Sequence, residues 1–209
     1  MEKNCPTDDA IREFWVWFAA KSELIREAYK CGNFTWIDDE VSPRVEAIAR
    51  EMTWEMGPYC DPHDAMVLSP TTRENIPIAK RAVALAPTLD GWCFLPARPP
   101  KELLSLEFVV DGESVNADTW RYRLTSYNRG EFVDIEILFD RANAPPTEQD
   151  VTFCELVVEA LIGEEMRLDR VGYIDSRQVD DVSAIEKAAP LSNLKKHLAL
   201  VLSPTDSAK

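Results

Sequence analysis

Two stretches between Trp120 and Phe139 constrain the fold most, because apolar and polar residues alternate along both. An apolar residue at every second position is the period of a β-strand with one buried face. A turn at Arg129-Gly130 would place Arg123 opposite Glu136 and Thr125 opposite Asp134. This register keeps one face apolar and pairs opposite charges on the other. The sequence therefore predicts an antiparallel hairpin.

Earlier in the chain, the segment Thr71–Pro100 is typical of a helix followed by a break and a strand. Thr71 and Glu74 have the spacing of a capping box, and Pro87 is expected to end the helix. The apolar run from Trp92 to Leu95 then predicts a short buried strand.

The first 50 residues carry helical patterns. Five apolar residues share one face of a first helix that reaches about Tyr29: Ile11, Phe14, Trp15, Phe18 and Ile25. Ser42-Pro43 resembles an N-cap followed by proline at the first helical position, which predicts that a second helix begins there and ends near Arg50. The two helices are expected to form an antiparallel pair.

The order strand, strand, helix, strand then occurs twice. Further strands are predicted at residues 52–56, 65–69, 104–110 and 167–174, and further helices at 147–162 and 191–200. We predict one α+β domain, residues 1–209, with an antiparallel or mixed sheet of seven or eight strands covered by the N-terminal helix pair and two further helices. Its parts are a helical segment (1–50), two repeated ββαβ units (51–100 and 101–176), and a C-terminal loop, helix and tail (177–209).

The net charge of −14 narrows the choice of partners. It argues against a nucleic-acid backbone or an anionic membrane. A protein partner with a basic surface is compatible with it, although solubility alone explains the charge equally well.

The five cysteines are odd in number and include no C-x-x-C pair. This pattern indicates reduced intracellular thiols, with Cys93 and Cys154 as small core residues. The N-terminus has no secretory pattern, and the apolar run Phe14–Ala20 is too short to span a bilayer. We therefore expect a cytoplasmic protein.

Catalytic signatures are few. The segment Cys60–Asp64 is the nearest approach to a metal cluster, yet it cannot supply every zinc ligand by itself, so a polar turn is the better interpretation. His197 follows two lysines and is expected to be solvated or to face a helix dipole. No nucleophile elbow, phosphate loop or zinc-protease motif is present. The sequence predicts no catalytic, cofactor or metal residue and leans away from an enzyme.

Aromatic and arginine residues are the best candidates for contact with a ligand or partner. We single out five of them: Trp17, Trp92, Arg98, Arg121 and Tyr122. Trp17 points away from the apolar stripe of the first helix, which favours either packing on a second element or a contact surface. Arg121 and Arg123 also have predicted cross-strand partners, so the alternative is that these two arginines stabilise the hairpin and do not contact a ligand.

Three motifs together resemble a group of uncharacterised bacterial proteins: FWVWF at Phe14–Phe18, APTLDGW at Ala86–Trp92 and LIGEE at Leu161–Glu165. The resemblance covers most of the chain. It implies a bacterial cytoplasmic α+β domain and transfers no catalytic residue. The leading hypothesis is a non-enzymatic protein that acts by protein–protein interaction, as a regulatory, adaptor or immunity-type protein, or by self-association. The alternatives are a small-molecule binder with a pocket between helices and sheet, and a hydrolase that uses scattered carboxylates.

Overall fold

A computed structural model describes residues 8–102, 105–110, 112–140, 144–145, 150–179, 185 and 187–202. It confirms the predicted α+β class and the N-terminal helix pair. The helices in the described residues are α1 (Asp8–Lys30), α2 (Phe34–Ile48), α3 (Ile76–Ala84), α4 (Asp150–Ile162), α5 (Glu164–Arg170) and α6 (Leu194–Val201). The strands are β1 (Thr53–Cys60), β2 (His63–Ser69), β3 (Trp92–Leu95), β4 (Glu107–Val110), β5 (Glu113–Asn116), β6 (Arg121–Tyr127), β7 (Phe132–Phe139), β8 (Val171–Gln178) and β9 (Ala189–Pro190).

The chain divides into two compact units, Met1–Pro99 and Pro100–Lys209. Each unit has its own cluster of buried apolar side chains. The expectation of one sheet is wrong, because the described strands form three separate sheets of three, two and four strands. Whether the two units together form one domain stays a prediction.

Helices α1 and α2 open the first unit. The predicted apolar stripe of α1 is buried. Gly32 has φ +72°, and the Asn33 amide donates to the Ala28 carbonyl at 2.9 Å, so this glycine closes the helix in the left-handed conformation. The prediction that the second helix begins at Ser42 is wrong. Helix α2 begins at Phe34 and contains Pro43, since the buried residues Ile37, Val41, Val45 and Ile48 continue one stripe through the proline.

The first sheet has the order β1-β2-β3. Strands β1 and β2 are antiparallel, and β3 runs parallel to β2 after the crossover helix α3. Helix α3 does not use the predicted capping box. Thr71 has φ +54° and donates its hydroxyl to the Glu51 carbonyl, and a short 3-10 turn, Arg73–Asn75, precedes the helix.

The cysteine prediction also needs correction. Cys60 at the end of β1 forms a disulfide with Cys93 in β3, with Cα atoms 6.2 Å apart. Of the other described cysteines, Cys31 is exposed and Cys154 is buried as expected; Cys5 lies outside the described residues. The pair was missed because it joins strands that are distant in sequence, and an odd cysteine count does not exclude one bridge.

The predicted hairpin is confirmed in the second unit. Strands β6 and β7 are antiparallel, with Arg123 opposite Glu136 and Thr125 opposite Asp134. Three consecutive residues with positive φ, 128–130, make the turn. The four-stranded sheet has the order β8-β7-β6-β9, and β4 and β5 form a separate pair.

Strand β8 runs parallel to β7 after helices α4 and α5. The predicted strand at 167–174 is therefore partly wrong, since Glu164–Arg170 is helical and the strand continues to Gln178. The order ββαβ nevertheless occurs in both units, as an antiparallel hairpin, a helical crossover and a strand parallel to the second. Parts of two predicted elements, at residues 103–104 and 146–149, lie outside the described residues.

Candidate functional site

The five predicted contact residues are divided between the two units. Trp17, Trp92 and Arg98 belong to the first unit, and Arg121 and Tyr122 belong to the second. Each is described below by its own contacts.

Trp17 packs within the first unit. Its ring is half-buried, its centroid lies 6.1 Å from that of Phe14, and the Arg44 guanidinium carbon lies 4.3 Å above it. This is a cation–π geometry. Trp17 also lines a groove of about 270 Å³ between α1 and α2. The tryptophan therefore packs between the helices and keeps an accessible edge.

Trp92 lies in the core of the first unit, with its ring centroid 5.0 Å from that of Phe18. The Arg26 guanidinium carbon is 5.1 Å from the Trp92 ring centroid. Arg26 also donates to an Asp64 carboxylate oxygen at 2.9 Å and to the Asp90 carbonyl at 3.1 Å. Arg26 thus joins α1 to β2 and to the turn before β3, so these residues serve the fold.

Arg98 lies near Glu55 of β1, with 3.9 Å between a guanidinium nitrogen and a carboxylate oxygen. Tyr59 donates its hydroxyl to the same carboxylate. Arg98 is therefore part of a polar cluster on β1.

Arg121 and Tyr122 are neighbours on β6 but face opposite ways. Arg121 donates to the carbonyls of Thr119 and Trp120 at 3.2 and 3.3 Å, and its cross-strand neighbour is Leu138 rather than an acid. Tyr122 is buried, and burial raises the pKa of its hydroxyl.

The Tyr122 oxygen lies 3.1 Å from Nδ1 of His197 on α6. His197 is half-buried, and this contact was not part of the expectation that it is solvated or faces a helix dipole. The histidine holds α6 against the sheet of the second unit.

A larger concavity lies elsewhere in the first unit, beside α2. This cleft, which we call the α2 cleft, has a volume of about 570 Å³. It is lined by Asp38, Ser42, Glu46, Arg50, Glu51, Met52, Thr53 and Trp54. Its volume falls in the range of known ligand pockets, about 300–1,000 Å³.

Helix periodicity positions one wall of the α2 cleft. Asp38, Ser42 and Glu46 are spaced by four residues, so their side chains lie above one another on one face of α2. The buried stripe of α2 occupies a different face and packs into the core. Burial of that stripe thus turns the polar wall towards the cleft.

A chain of hydrogen bonds holds the wall in place. Trp54 at the start of β1 donates its indole N–H to the Ser42 hydroxyl at 2.8 Å. Ser42 in turn donates to an Asp38 carboxylate oxygen at 2.5 Å. The indole, the hydroxyl and one carboxylate are therefore oriented before any ligand arrives.

The turn at the end of the cleft is fixed from outside. Asn75 is buried and donates to the Arg50 carbonyl at 2.9 Å, while Thr71 donates to the Glu51 carbonyl. Glu51 has φ +67°, a left-handed conformation that is unfavourable for a residue with a Cβ. Bonds from two distant side chains stabilise this conformation and with it the rim of the cleft.

The lining is strongly acidic. Three carboxylates, those of Asp38, Glu46 and Glu51, face one guanidinium, that of Arg50. Arg50 and Glu51 are exposed and approach each other to 3.9 Å, which is a weak surface pair. Apart from the Arg50–Glu51 pair, the cleft holds the carboxylates of Asp38 and Glu46 and the aromatic ring of Trp54. This environment favours a positively charged group.

The α2 cleft was missed by the sequence analysis because Ser42-Pro43 was interpreted as a helix start. With α2 beginning at residue 42, Asp38 would lie in a loop, away from Glu46. The sequence did contain a signal for this wall, because Asp38, Ser42 and Glu46 are spaced by four residues, as on one face of a helix.

The described residues show no cluster of three His, Cys, Asp or Glu side chains that could hold a metal ion. His63 is exposed at the start of β2, opposite Cys60, whose sulfur is bonded to Cys93. Cys60 is thus not a thiolate ligand in this state. No helix within the described ranges is long and apolar enough to cross a bilayer.

Comparison of the chain with protein-family models, with curated proteins and with solved structures gives no match. The resemblance to uncharacterised bacterial proteins therefore stays a prediction.

Proposed function

We propose that this chain is a non-enzymatic protein-binding module, and that the α2 cleft receives a basic side chain of a partner protein. The observation that carries this proposal is the acidic wall held by the bonds Trp54–Ser42–Asp38. A lysine or arginine has the long apolar stem and cationic end that suit a cleft with an aromatic wall and carboxylates.

The charge of the chain supports the same class of partner. A net charge of −14 repels polyanions and attracts basic surfaces. Electrostatic attraction of this kind raises association rates and makes binding sensitive to salt. A regulatory, adaptor or immunity-type role is consistent with such binding.

The test uses fluorescein-labelled octalysine as probe and fluorescence anisotropy as readout. The double variant Asp38→Asn/Glu46→Gln removes two charges from the α2 cleft. Exposed ion pairs contribute about 0.2–1 kcal/mol each, so we expect binding to weaken about tenfold. Raising the salt concentration from about 0.1 to 1 M, which shortens the screening length from about 10 to 3 Å, is expected to abolish binding.

The matched control is Asp39→Asn/Glu27→Gln, which removes the same charge from exposed positions outside the cleft. We expect this control to bind as the wild type does, within a factor of about two. Equal weakening by both double variants would show that octalysine binding depends on net charge alone, and would refute the α2 cleft as the binding site.

A small cationic molecule is the second candidate ligand, because the volume of the α2 cleft suits one. Spermidine as a competitor separates the two. Displacement of octalysine by equimolar spermidine favours the small molecule, and resistance to it favours a peptide.

The cytoplasmic location was predicted from free thiols and from an N-terminus without a secretory pattern. The Cys60–Cys93 bond removes that argument for two cysteines, since disulfides are rare in reducing compartments. Thiol labelling of the protein in intact cells, before and after reduction, tests the location.

A further inference from the structure

Strand β8 forms one edge of the four-stranded sheet in the second unit. It is eight residues long, Val171–Gln178, and its inner side pairs with β7. Across the described part of the chain, no strand pairs with its outer side. A strand of this length with a bare edge is a template for another strand.

The direction of the backbone amides follows from one bond. The Val179 amide donates to the Phe139 carbonyl of β7 at 2.9 Å. Because amide direction alternates along a strand, Asp175 and Arg177 also direct their amides to β7, and Ser176 directs its amide outward. The Ser176 amide donates to the Asp175 carboxylate at 2.8 Å, so a bond within the strand satisfies it in the isolated chain.

The side chains of Asp175 and Arg177 share one face of β8, and both residues are exposed. They carry opposite charges and are two residues apart. Arg177 also approaches the Glu136 carboxylate of β7 at 2.5 Å. Its guanidinium therefore lies on the solvent side of the sheet.

We propose that β8 of a second copy of this chain pairs antiparallel with β8, about a two-fold axis at Ser176. Asp175 then lies opposite Arg177 of the second copy, and Arg177 lies opposite its Asp175. With the outward amide at Ser176, the two serines form the hydrogen-bonded pair. The flanking Asp–Arg pairs are non-hydrogen-bonded pairs, whose side chains are closest.

The charge pattern selects a copy of this strand and this register. Moving the axis to Asp175 places the two aspartates opposite each other, and moving it to Arg177 does the same to the arginines. Like charges directly opposite destabilise a strand pair. Only the axis at Ser176 forms both attractive pairs at once, and this self-complementarity is what a two-fold interface requires.

The net charge of −14 on each copy opposes association at low salt. Dimerisation is therefore expected to strengthen from low to moderate salt, which is the opposite of the octalysine response. This contrast separates the dimer from the proposed function, because each can fail without the other.

The experiment is sedimentation velocity of the full chain at concentrations up to hundreds of micromolar. Asp175→Arg and Arg177→Asp each replace two attractive pairs by two repulsive ones, and we expect each to weaken dimerisation about tenfold or more. The double variant Asp175→Arg/Arg177→Asp exchanges the charges and is expected to restore the wild-type dissociation constant within about threefold.

The matched control is Arg123→Asp. Arg123 approaches the same Glu136 carboxylate as Arg177, at 3.3 Å, but it lies on β6, which β7 separates from β8. We expect this control to dimerise as the wild type does. Urea unfolding of every variant verifies the fold.

A second readout is amide hydrogen exchange, in which the Ser176 amide is expected to slow with increasing protein concentration. A wild type that stays monomeric throughout, or an exchanged-charge variant that stays as weak as the single variants, overturns the proposal. Dimerisation that the single variants leave unchanged overturns it as well, as does an interface built with a different segment.

Discussion

Removal of the Cys60–Cys93 bond by Cys60→Ser/Cys93→Ser is expected to destabilise the first unit strongly. The bridge closes a loop with a sequence separation of 33 residues. In the chain-entropy model, a loop of this length restricts the unfolded chain by about 3.7 kcal/mol at 25 °C. For a unit of 99 residues, with an unfolding entropy of about 2.1 cal/mol/K per residue, that corresponds to about 15–20 °C in Tm.

Tryptophan fluorescence during urea unfolding measures this loss. Five of the six tryptophans lie in residues 1–99, so the signal reports mainly on the first unit. Dithiothreitol is expected to lower the stability of the wild type to that of the double variant. The reductant should leave the double variant unchanged.

Cys31→Ser is the control, because Cys31 is an exposed thiol outside the bridge. It should unfold as the wild type does, within about 0.5 kcal/mol, as surface substitutions usually do. A loss below about 1 kcal/mol in Cys60→Ser/Cys93→Ser would refute the stabilising role derived from the loop length. Five reactive thiols in the denatured, unreduced protein would refute the bridge itself.

Two further predictions concern the contacts of α1. Gly91→Ala is expected to cost more stability in urea unfolding than Gly112→Ala. Both glycines have positive φ, so the left-handed conformation alone costs about 1–2 kcal/mol at either site. A Cβ at Gly91 would also lie 2.6 Å from the Arg26 guanidinium, whereas one at Gly112 meets nothing within 4 Å, so equal losses would contradict the clash at Gly91. Two hydrogen bonds of 2.6 Å from Arg81 lower the pKa of Asp8, so the folded protein gains stability above the unfolded pKa and loses it as pH falls through the folded pKa. Asp8→Asn is therefore expected to destabilise the protein at pH 7 and to approach the wild type as pH falls from about 5 to 2, and a pH-independent difference would contradict the assignment.

Local patterns predicted the parts of the fold that depend on neighbouring residues. The register of Arg123 against Glu136 followed from alternation and a short turn, both of which the sequence contains. The buried stripe of α1 followed from helical spacing. These elements are correct because each buries one face whatever the rest of the chain does.

Long-range partners explain where the sequence analysis failed. Thr71 has the spacing of a cap, but its hydroxyl bonds to Glu51, twenty residues away. The cysteines of the disulfide lie on strands that only the crossover through α3 brings together. Pro43 removes one helix bond and its ring crowds the carbonyl four residues earlier, but burial of Val41 and Val45 on either side outweighs that loss. No short sequence window contains both Thr71 and Glu51, or both bridged cysteines.

The two units share the order ββαβ, yet their third strands are held differently. In the first unit, Cys93 ties β3 to β1 through the disulfide, and Arg26 bonds the turn before β3. In the second unit, side-chain bonds from the two faces of β8 hold the strand: Arg177 to Glu136, and Ser176 to Asp150 at 2.7 Å. Face contacts fix the position of a strand and leave the hydrogen bonds of its outer edge to other strands. The same topology thus places the third strand at a sheet edge in both units, held by a disulfide and by Arg26 of α1 in the first unit and by side-chain contacts of its two faces in the second.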